Sequence, residues 1–297
     1  MSMPNFLPTY RSVKLRLAAV TCAMLLAAPA ESQAPSPFTV STPAMTYADI
    51  ADLALPAPVV AQVQVAEASR LKGDAAGQVP PGKARFLVEA TIISLLKGRG
   101  ALPPKVSYLV DLPLSSAGRA PKLAKKSQHI LFASPVPGRP ADLRLVASDA
   151  HIPASPWEVE RLRNILGEAA RPDAAPRISG IGRAFHVPGS IQGESETQLF
   201  LQTADGRPVS LNVLRRPGER ARWAVALAEI IDDAAGPPRR DSLLWYRLAC
   251  TLPRVLPRSS LSESDPAFAP AIQIDYRMIL DGLGPCTRNR GAGRPTL

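Results

Sequence analysis

The stretch VVAQVQVAE, residues 59–67, alternates valine with glutamine, and RFLVEATIISLL, residues 85–96, continues as a long aliphatic and β-branched run. Side chains repeat every second residue along a strand, so the first stretch predicts a half-buried strand and the second a strand long enough to bend around a small barrel. Working outward, Pro80-Pro81-Gly82 separates the two as a turn, and Lys97-Gly98 ends the second. Val106, Tyr108 and Val110 then alternate with Lys105, Ser107 and Leu109, HILFA at 129–133 reads as a short buried strand, and 143–147 as another. Short strands with turn residues between them predict a small antiparallel barrel.

A helix follows with clear boundary chemistry. Ser155 stands at the N-cap, Pro156 at the first helical position and Glu158 three residues after the cap, the pattern of a capping box with proline where its missing N–H costs nothing. Trp157, Leu162, Ile165, Leu166 and Ala169 form an apolar stripe, and Arg171-Pro172 closes the helix. Residues 172–177 read as a linker.

The second region begins near Ile178. A strand is expected over 178–187, with Gly180 and Gly182 marking a bulge; 197–203 and 208–214 flank Asp205-Gly206, the dipeptide preferred in type I′ hairpins. Pro217-Gly218 gives another turn, and 222–231 reads as a strand from Trp223, Val225 and Leu227, although its alanines and Glu229 also suit a helix. Asp241 is placed to cap an apolar, buried helix over 242–252 (SLLWYRLACTL), and 271–283 sets Ile272, Tyr276, Ile279, Leu280 and Leu283 on one helical face.

The predicted class is therefore α+β, a small antiparallel OB-like β-barrel plus a β-meander packed with two C-terminal helices. Its divisions are a signal peptide at 1–30, a flexible lead-in at 31–57 in which Thr46-Tyr47-Ala48-Asp49 opens a short helical turn, a barrel with its helix at 58–171, the meander and two helices at 178–286, and a disordered basic tail at 287–297.

The first thirty residues predict export. Arg11, Lys14 and Arg16 precede an apolar run from Leu17 to Ala28, and Ala28-Pro29-Ala30 offers small residues for cleavage, with Ser32-Gln33-Ala34 as an alternative. The run is short of the roughly 20 residues a bilayer span takes, so no transmembrane segment is expected after cleavage. The expected location is periplasmic or secreted. The chain carries 35 basic and 25 acidic residues; loss of the three leader cations leaves +7. Such a balance favours anionic membrane or glycan surfaces, and export makes nucleic acid an unexpected partner. Proline, at 32 of 297 residues, favours short elements and stiff loops over long helices. Two cysteines remain after processing, Cys250 and Cys286, and in an oxidising compartment they are expected to pair.

Candidate chemistry is sparse. His129, His151 and His186 stand apart, with neither HxH nor HExxH spacing; Asp149 and His151 sit close enough in sequence to share a metal, yet a structural role is the simpler expectation. His186 with Ser190 or Ser195 is a conceivable nucleophile pair, and Glu194 with Glu196 would share a strand face as a carboxylate pair. Gly180-x-Gly182 lacks the third glycine and the strand-to-helix setting of a dinucleotide loop. Trp157, Trp223, Trp245 and Tyr246 fall on apolar periodicity and are expected in the core. No catalytic, cofactor or metal residue is assigned.

The order of these features, from the valine-rich strand through Leu95-Leu96-Lys97-Gly98 to His129-Ile130-Leu131-Phe132, resembles the OB-fold barrels of the netrin/TIMP-like class over residues 59–147. Metalloprotease inhibitors of that class begin with Cys-x-Cys, whose terminal amine reaches the target metal. Here no cysteine lies near the mature N-terminus, so the resemblance implies a fold and not that mechanism. The second region looks like exported bacterial proteins to which no activity attaches. The leading functional expectation is a non-catalytic envelope binding or scaffold protein that holds a partner, another envelope protein or an anionic surface, through barrel loops or a sheet edge. The rivals are a periplasmic hydrolase built on His186/Ser195 or Glu194/Glu196, and a basic accessory protein on anionic membrane or glycan.

Overall fold

The structure, a computed structural model, describes residues 44–100, 102–227 and 236–290. The expected leader, the first part of the lead-in, the end of the 222–231 segment and the last seven residues of the tail lie outside the described residues. Among the described residues no helix is long and apolar enough to cross a membrane.

Five strands close into a barrel: β1 (Val59–Arg70), β2 (Lys83–Lys97), β3 (Lys105–Pro113), β4 (Gln128–Val136) and β5 (Arg139–Leu145). Their order around the ring is β1-β2-β3-β5-β4, with β4 returning to β1 from Val59↔Ala133 to Gln64↔Gln128. A short β6 (His151–Pro153), absent from the sequence reading, adds to the other side of β4. The expectation of a wholly antiparallel barrel is corrected at one seam. An odd number of strands cannot alternate in direction all the way round a closed ring, so one neighbouring pair must be parallel. That pair is β3 and β5, joined only at Ser107↔Asp142 and Tyr108↔Leu143. Parallel pairing is slightly weaker per residue, and this seam is also short.

Period-two alternation sorts the strand residues into two cores. Val59, Ala61, Val63 and Val65 of β1 point inward with Phe86, Val88, Tyr108, Val110 and Leu131. The opposite parity, Val60, Ile130, Phe132 and Ile152, packs outward into a second core shared with the helices and the other sheet. β1 is thus buried on both faces along its first half, which explains why glutamine appears there only at positions that are half-exposed.

The shared core is built around α1 (Tyr47–Ala54), the helical turn expected from Thr46-Tyr47-Ala48-Asp49. Thr46 caps it through a full capping box: its hydroxyl accepts from the Asp49 N–H and the Asp49 carboxylate accepts from the Thr46 N–H. All but one of its eight residues are buried, so this end of the expected flexible lead-in is central core. α2 (Pro156–Ala170) starts at the expected residues, with Ser155 accepting from the Glu158 N–H and Pro156 at its first position, but only this half of the expected capping box is formed. Val159, Leu162 and Ile165 face the shared core. Trp157 does not: it is 64% exposed, and Arg161 lies over its ring at 4.7 Å. Five residues before Leu162, it falls roughly 140° round the helix from the buried face, whereas Val159 in the same turn is buried.

The second sheet is an antiparallel meander in the order β10-β9-β8-β7, from β7 (Ile178–Pro188), β8 (Ser195–Thr203), β9 (Val209–Arg215) and β10 (Arg222–Ala226). The bulges expected in β7 are present, with register shifts between Ile178 and Gly180 and between Ile181 and Ala184. The β8–β9 connection is not the type I′ turn expected from Asp205-Gly206. That turn needs positive φ at both central residues, and only Gly206 has it, at 74°. The loop is wider, and Arg207 folds back onto the Asp205 carboxylate at 2.8 Å.

Two helices complete the region, α3 (Leu243–Ala249) and α4 (Ala269–Leu283). Ser242, not Asp241, caps α3 by accepting from the Trp245 N–H; Asp241 has φ of 56°, outside the extended conformation a cap residue adopts. Trp245 is buried and donates from Nε1 to the Leu283 carbonyl at 2.8 Å, while Trp223 is half-buried against α4. Gly282 permits that approach, since a Cβ there would stand 2.5 Å from the Trp223 indole nitrogen. Cys250 and Cys286 are joined by a disulfide, Cα to Cα 5.1 Å, linking the ends of α3 and α4. The bridge closes a loop of 36 residues, so the double variant Cys250→Ala/Cys286→Ala is expected to lose about 2–4 kcal/mol of stability, measured by urea titration of both proteins.

Candidate functional site

The residues singled out from sequence are placed apart. His186 on β7 lies opposite Thr197 on β8. Its Nδ1 stands 2.7 Å from the Thr197 hydroxyl, which donates to Asp275 of α4 at 2.5 Å. A hydroxyl has one proton to give; it goes to Asp275, so Nδ1 of His186 is the donor to Thr197. Asp275 is buried and is also bound by Arg215 of β9. This chain fastens α4 to the sheet. Ser190 lies in the loop after β7, and Ser195 pairs across the sheet with Pro188; the hydrogen bond His186 makes is to Thr197 and not to either serine. Glu194 precedes the strand, in a turn whose backbone closes on Gly189 and Ile191, while Glu196 is on β8 facing away from Thr197. They do not share a strand face.

His129 and His151 come together where the separation in sequence gave no sign of it. β4 and β6 pair through His129↔Pro153 and Leu131↔His151, and the two rings stack at 4.2 Å with 16° between planes. Tyr108 of β3 lies 5.7 Å from the His151 ring. Ser127 Oγ meets Nε2 of His129 at 3.1 Å. The Tyr108 hydroxyl, Nδ1 of His129 and Nε2 of His151 are buried without a partner. Asp149, the suggested co-ligand of His151, is instead held by Arg290 at 2.9 and 3.0 Å. Among the described residues no group of three or more histidine, cysteine, aspartate or glutamate side chains is arranged to hold a metal ion. Burial, reinforced by the neighbouring His129, pushes the His151 imidazole down to about 3, and burial lowers His129 as well.

A cleft lies on the barrel itself, at the weak β3–β5 seam. It has a volume of about 530 Å³ and is formed by outward residues of β2 and β3 together with the β4–β5 turn, β5 and the segment that follows it. Cross-strand pairing sets Leu87 directly opposite Leu109, and Arg85 opposite Asp111. Both leucines are exposed. Arg85 grips Asp111 with two bonds, Nε at 2.7 Å and a terminal nitrogen at 2.8 Å, and reaches the Ala76 carbonyl at 2.8 Å. That guanidinium holds the Asp111 carboxyl below its ordinary range, against the opposing effect of partial burial. Across the seam Asp142 accepts from Ser107 at 2.5 Å and pairs with Arg139. Two ion pairs therefore bracket an apolar floor. Tyr108 and Leu143, the residues of the seam, belong to its wall.

Sequence reading missed this cleft because seam pairing is set by barrel closure. A signal did exist. On the outward parity of β2 and β3 the order is Arg85-Leu87-Glu89 and Ser107-Leu109-Asp111, with one leucine in each where a solvated strand would carry a polar residue. No family model matches the chain, and no curated protein matches it.

The stacked histidines yield a pH prediction. Above pH 6.5, His151 is neutral in both folded and unfolded chains, and its contribution is fully present. As pH falls below 6.5 the unfolded chain takes up a proton that the folded imidazole refuses until about pH 3. Stability should therefore fall by about 1.4 kcal/mol per pH unit within that window. Urea titrations between pH 7 and roughly 4.5, above the range where most carboxylates titrate, should show a shallower slope in His151→Phe than in the parent chain.

Proposed function

We propose that the chain is an exported envelope protein that binds a partner protein without transforming it, and that the β3–β5 seam is where it does so. The observation that carries this reading is the exposed Leu87–Leu109 pair on the floor of a bracketed cleft. Exposed apolar side chains grouped on a concave surface and rimmed by charge are the signature of an interaction site. The place also fits. OB barrels bind on the face of their second and third strands and the adjoining loops, and this cleft uses that face and the β4–β5 turn. That point is an analogy of fold and says nothing about the partner's identity. The netrin/TIMP-like resemblance of residues 59–147 supports barrel-mediated binding in the same way.

The hydrolase alternative is disfavoured by what the candidates touch: His186 bonds to Thr197 and to neither Ser190 nor Ser195, and Glu194 and Glu196 do not share a strand face. Export and a periplasmic location belong to the proposal and rest on the leader-like first thirty residues.

A photo-crosslinking residue in place of Leu109, expressed in the native host, is expected to give a discrete protein adduct. The same residue in place of exposed Glu67, on β1, should not. Leu87→Asp combined with the Leu109 probe should reduce the adduct at least about tenfold, since burying each leucine contributes roughly 1.5–3 kcal/mol. Equal labelling from positions 109 and 67, or none from 109, would count against the seam as a binding face.

A further inference from the structure

A second cleft, of about 790 Å³, opens where the barrel meets the second region. It is bounded by Leu55 and Pro56 after α1, the end of β2, the last turn of α2, the first residues of β7, and α3. Leu55, Leu96, Leu166, Ala170 and Ile178 give it an apolar wall, while Lys97, Arg177 and Arg247 bring three cations to it. Asp52 is the one carboxylate lining it, and it is already engaged: Tyr246 donates to it at 2.6 Å and Arg288 at 2.6 and 3.2 Å.

The cations are unequally satisfied. Lys97 spends two N–H groups on the Ala54 and Leu55 carbonyls, at 3.1 and 2.7 Å, closing the C-terminal end of α1. Among the described residues neither Arg177 nor Arg247 forms an ion pair. Nε of Arg247 is buried without an acceptor. Burial and then the charge of Arg177 both lower the Arg247 pKa, so the two guanidinium groups are close enough to repel. A buried donor without an acceptor destabilises a protein, and more so when it is charged. Arg247 also interrupts the otherwise apolar run SLLWYRLACTL, where methionine or leucine would pack with no such penalty. The unpaired buried Nε of Arg247, with the exposed Arg177 beside the same apolar wall, matches an oxyanion carried on a hydrocarbon chain.

We propose that this cleft binds an anionic amphiphile, a carboxylate or phosphate head group on Arg177 and Arg247 with its apolar chain along Leu96, Leu166 and Ile178. The site is separate from the barrel seam, and its occupation does not require that the seam bind anything.

Calorimetric titration of the full chain with octanoate, octyl phosphate, octanol and inorganic phosphate tests both halves of the site. At least one of the two amphiphilic anions is expected to bind, and the tighter of them identifies the head group. Octanol, lacking the charge, and inorganic phosphate, lacking the chain, should each bind at least about tenfold more weakly. Arg247→Met should weaken the anion at least about tenfold while raising the melting temperature of the unliganded protein by roughly 2–4 °C, because it removes an unpaired buried donor. A structural arginine would lower it. Ala170→Trp, at an exposed position on the cleft wall, fills the space without entering the core and should abolish binding. Octanol binding as tightly as the anions overturns the proposal. So does octanoate and octyl phosphate binding unchanged in Ala170→Trp, or a lower melting temperature in Arg247→Met.

Discussion

The buried carboxylate of Asp49 holds the two ends of the described chain together. It accepts from the N–H of Thr46 at 2.9 Å, from that of Asn289 at 3.1 and 3.0 Å, and from that of Arg290 at 3.1 Å. A carboxyl group with no exposure is tolerated only when its oxygens are filled by donors this way. One side chain at the start of α1 thus caps the helix and anchors residues 287–290 against it. Arg288 then reaches Asp52 one turn further along, Arg290 reaches Asp149, and Asn289 donates to the Ala44 carbonyl. The neighbouring disulfide carries the same strap to α3. Because α1 contributes Ile50, Ala51, Leu53 and Ala54 to the core shared by barrel and meander, fixing this helix fixes both halves.

That arrangement marks what the sequence disclosed and what it withheld. Alternation in 59–67 and 106–110 is a local property and was readable, as were the Ser155-Pro156 start of α2 and the pairing of the two cysteines left after an expected cleavage. The seam of the barrel was not, because its parallel closure follows from strand count and ring order. α1 looked like a brief turn in a lead-in: eight residues carry too short a pattern to reveal burial on all sides. The tail looked basic and solvated because nothing local shows that Arg288 and Arg290 meet Asp52 and Asp149 more than a hundred residues away in sequence. Trp157 shows the reverse error, since it was assigned to an apolar stripe from which its place round the helix sets it apart.

The polar groups of the molecule divide by whether they find partners inside it. His186, Thr197, Asp275 and Arg215 satisfy one another and fasten a helix to a sheet. Imidazole and carboxylate there look suggestive as residue types, but geometry makes them a brace. Of the buried groups left over, Tyr108, His129 and His151 lie together at the barrel interior and Arg247 at the junction cleft, while the Tyr47 hydroxyl and Asn212 Oδ1 stand singly. Local rules of packing are broken where another demand competes with stability, so these leftovers direct attention better than the motifs do.

Tyr108 connects the two features of the barrel that are individually weak. Its backbone is half of the two-residue seam with β5 beside the cleft, and its side chain points into the barrel, where the hydroxyl lies unpartnered near the stacked histidines. A strand with few ladder bonds opens at lower cost than its neighbours, and three unpaired buried polar atoms reduce that cost further, since opening lets them reach water or a ligand's hydrogen-bonding groups. The rest of the ring resists: β1 pairs along most of its length with β2 and along its first half with β4. The shortest ladder of the ring is therefore the β3–β5 seam. A binding surface built there can adjust to its partner while the interior core and the α1 anchor remain in place, which is the physical reason to look for recognition at the seam.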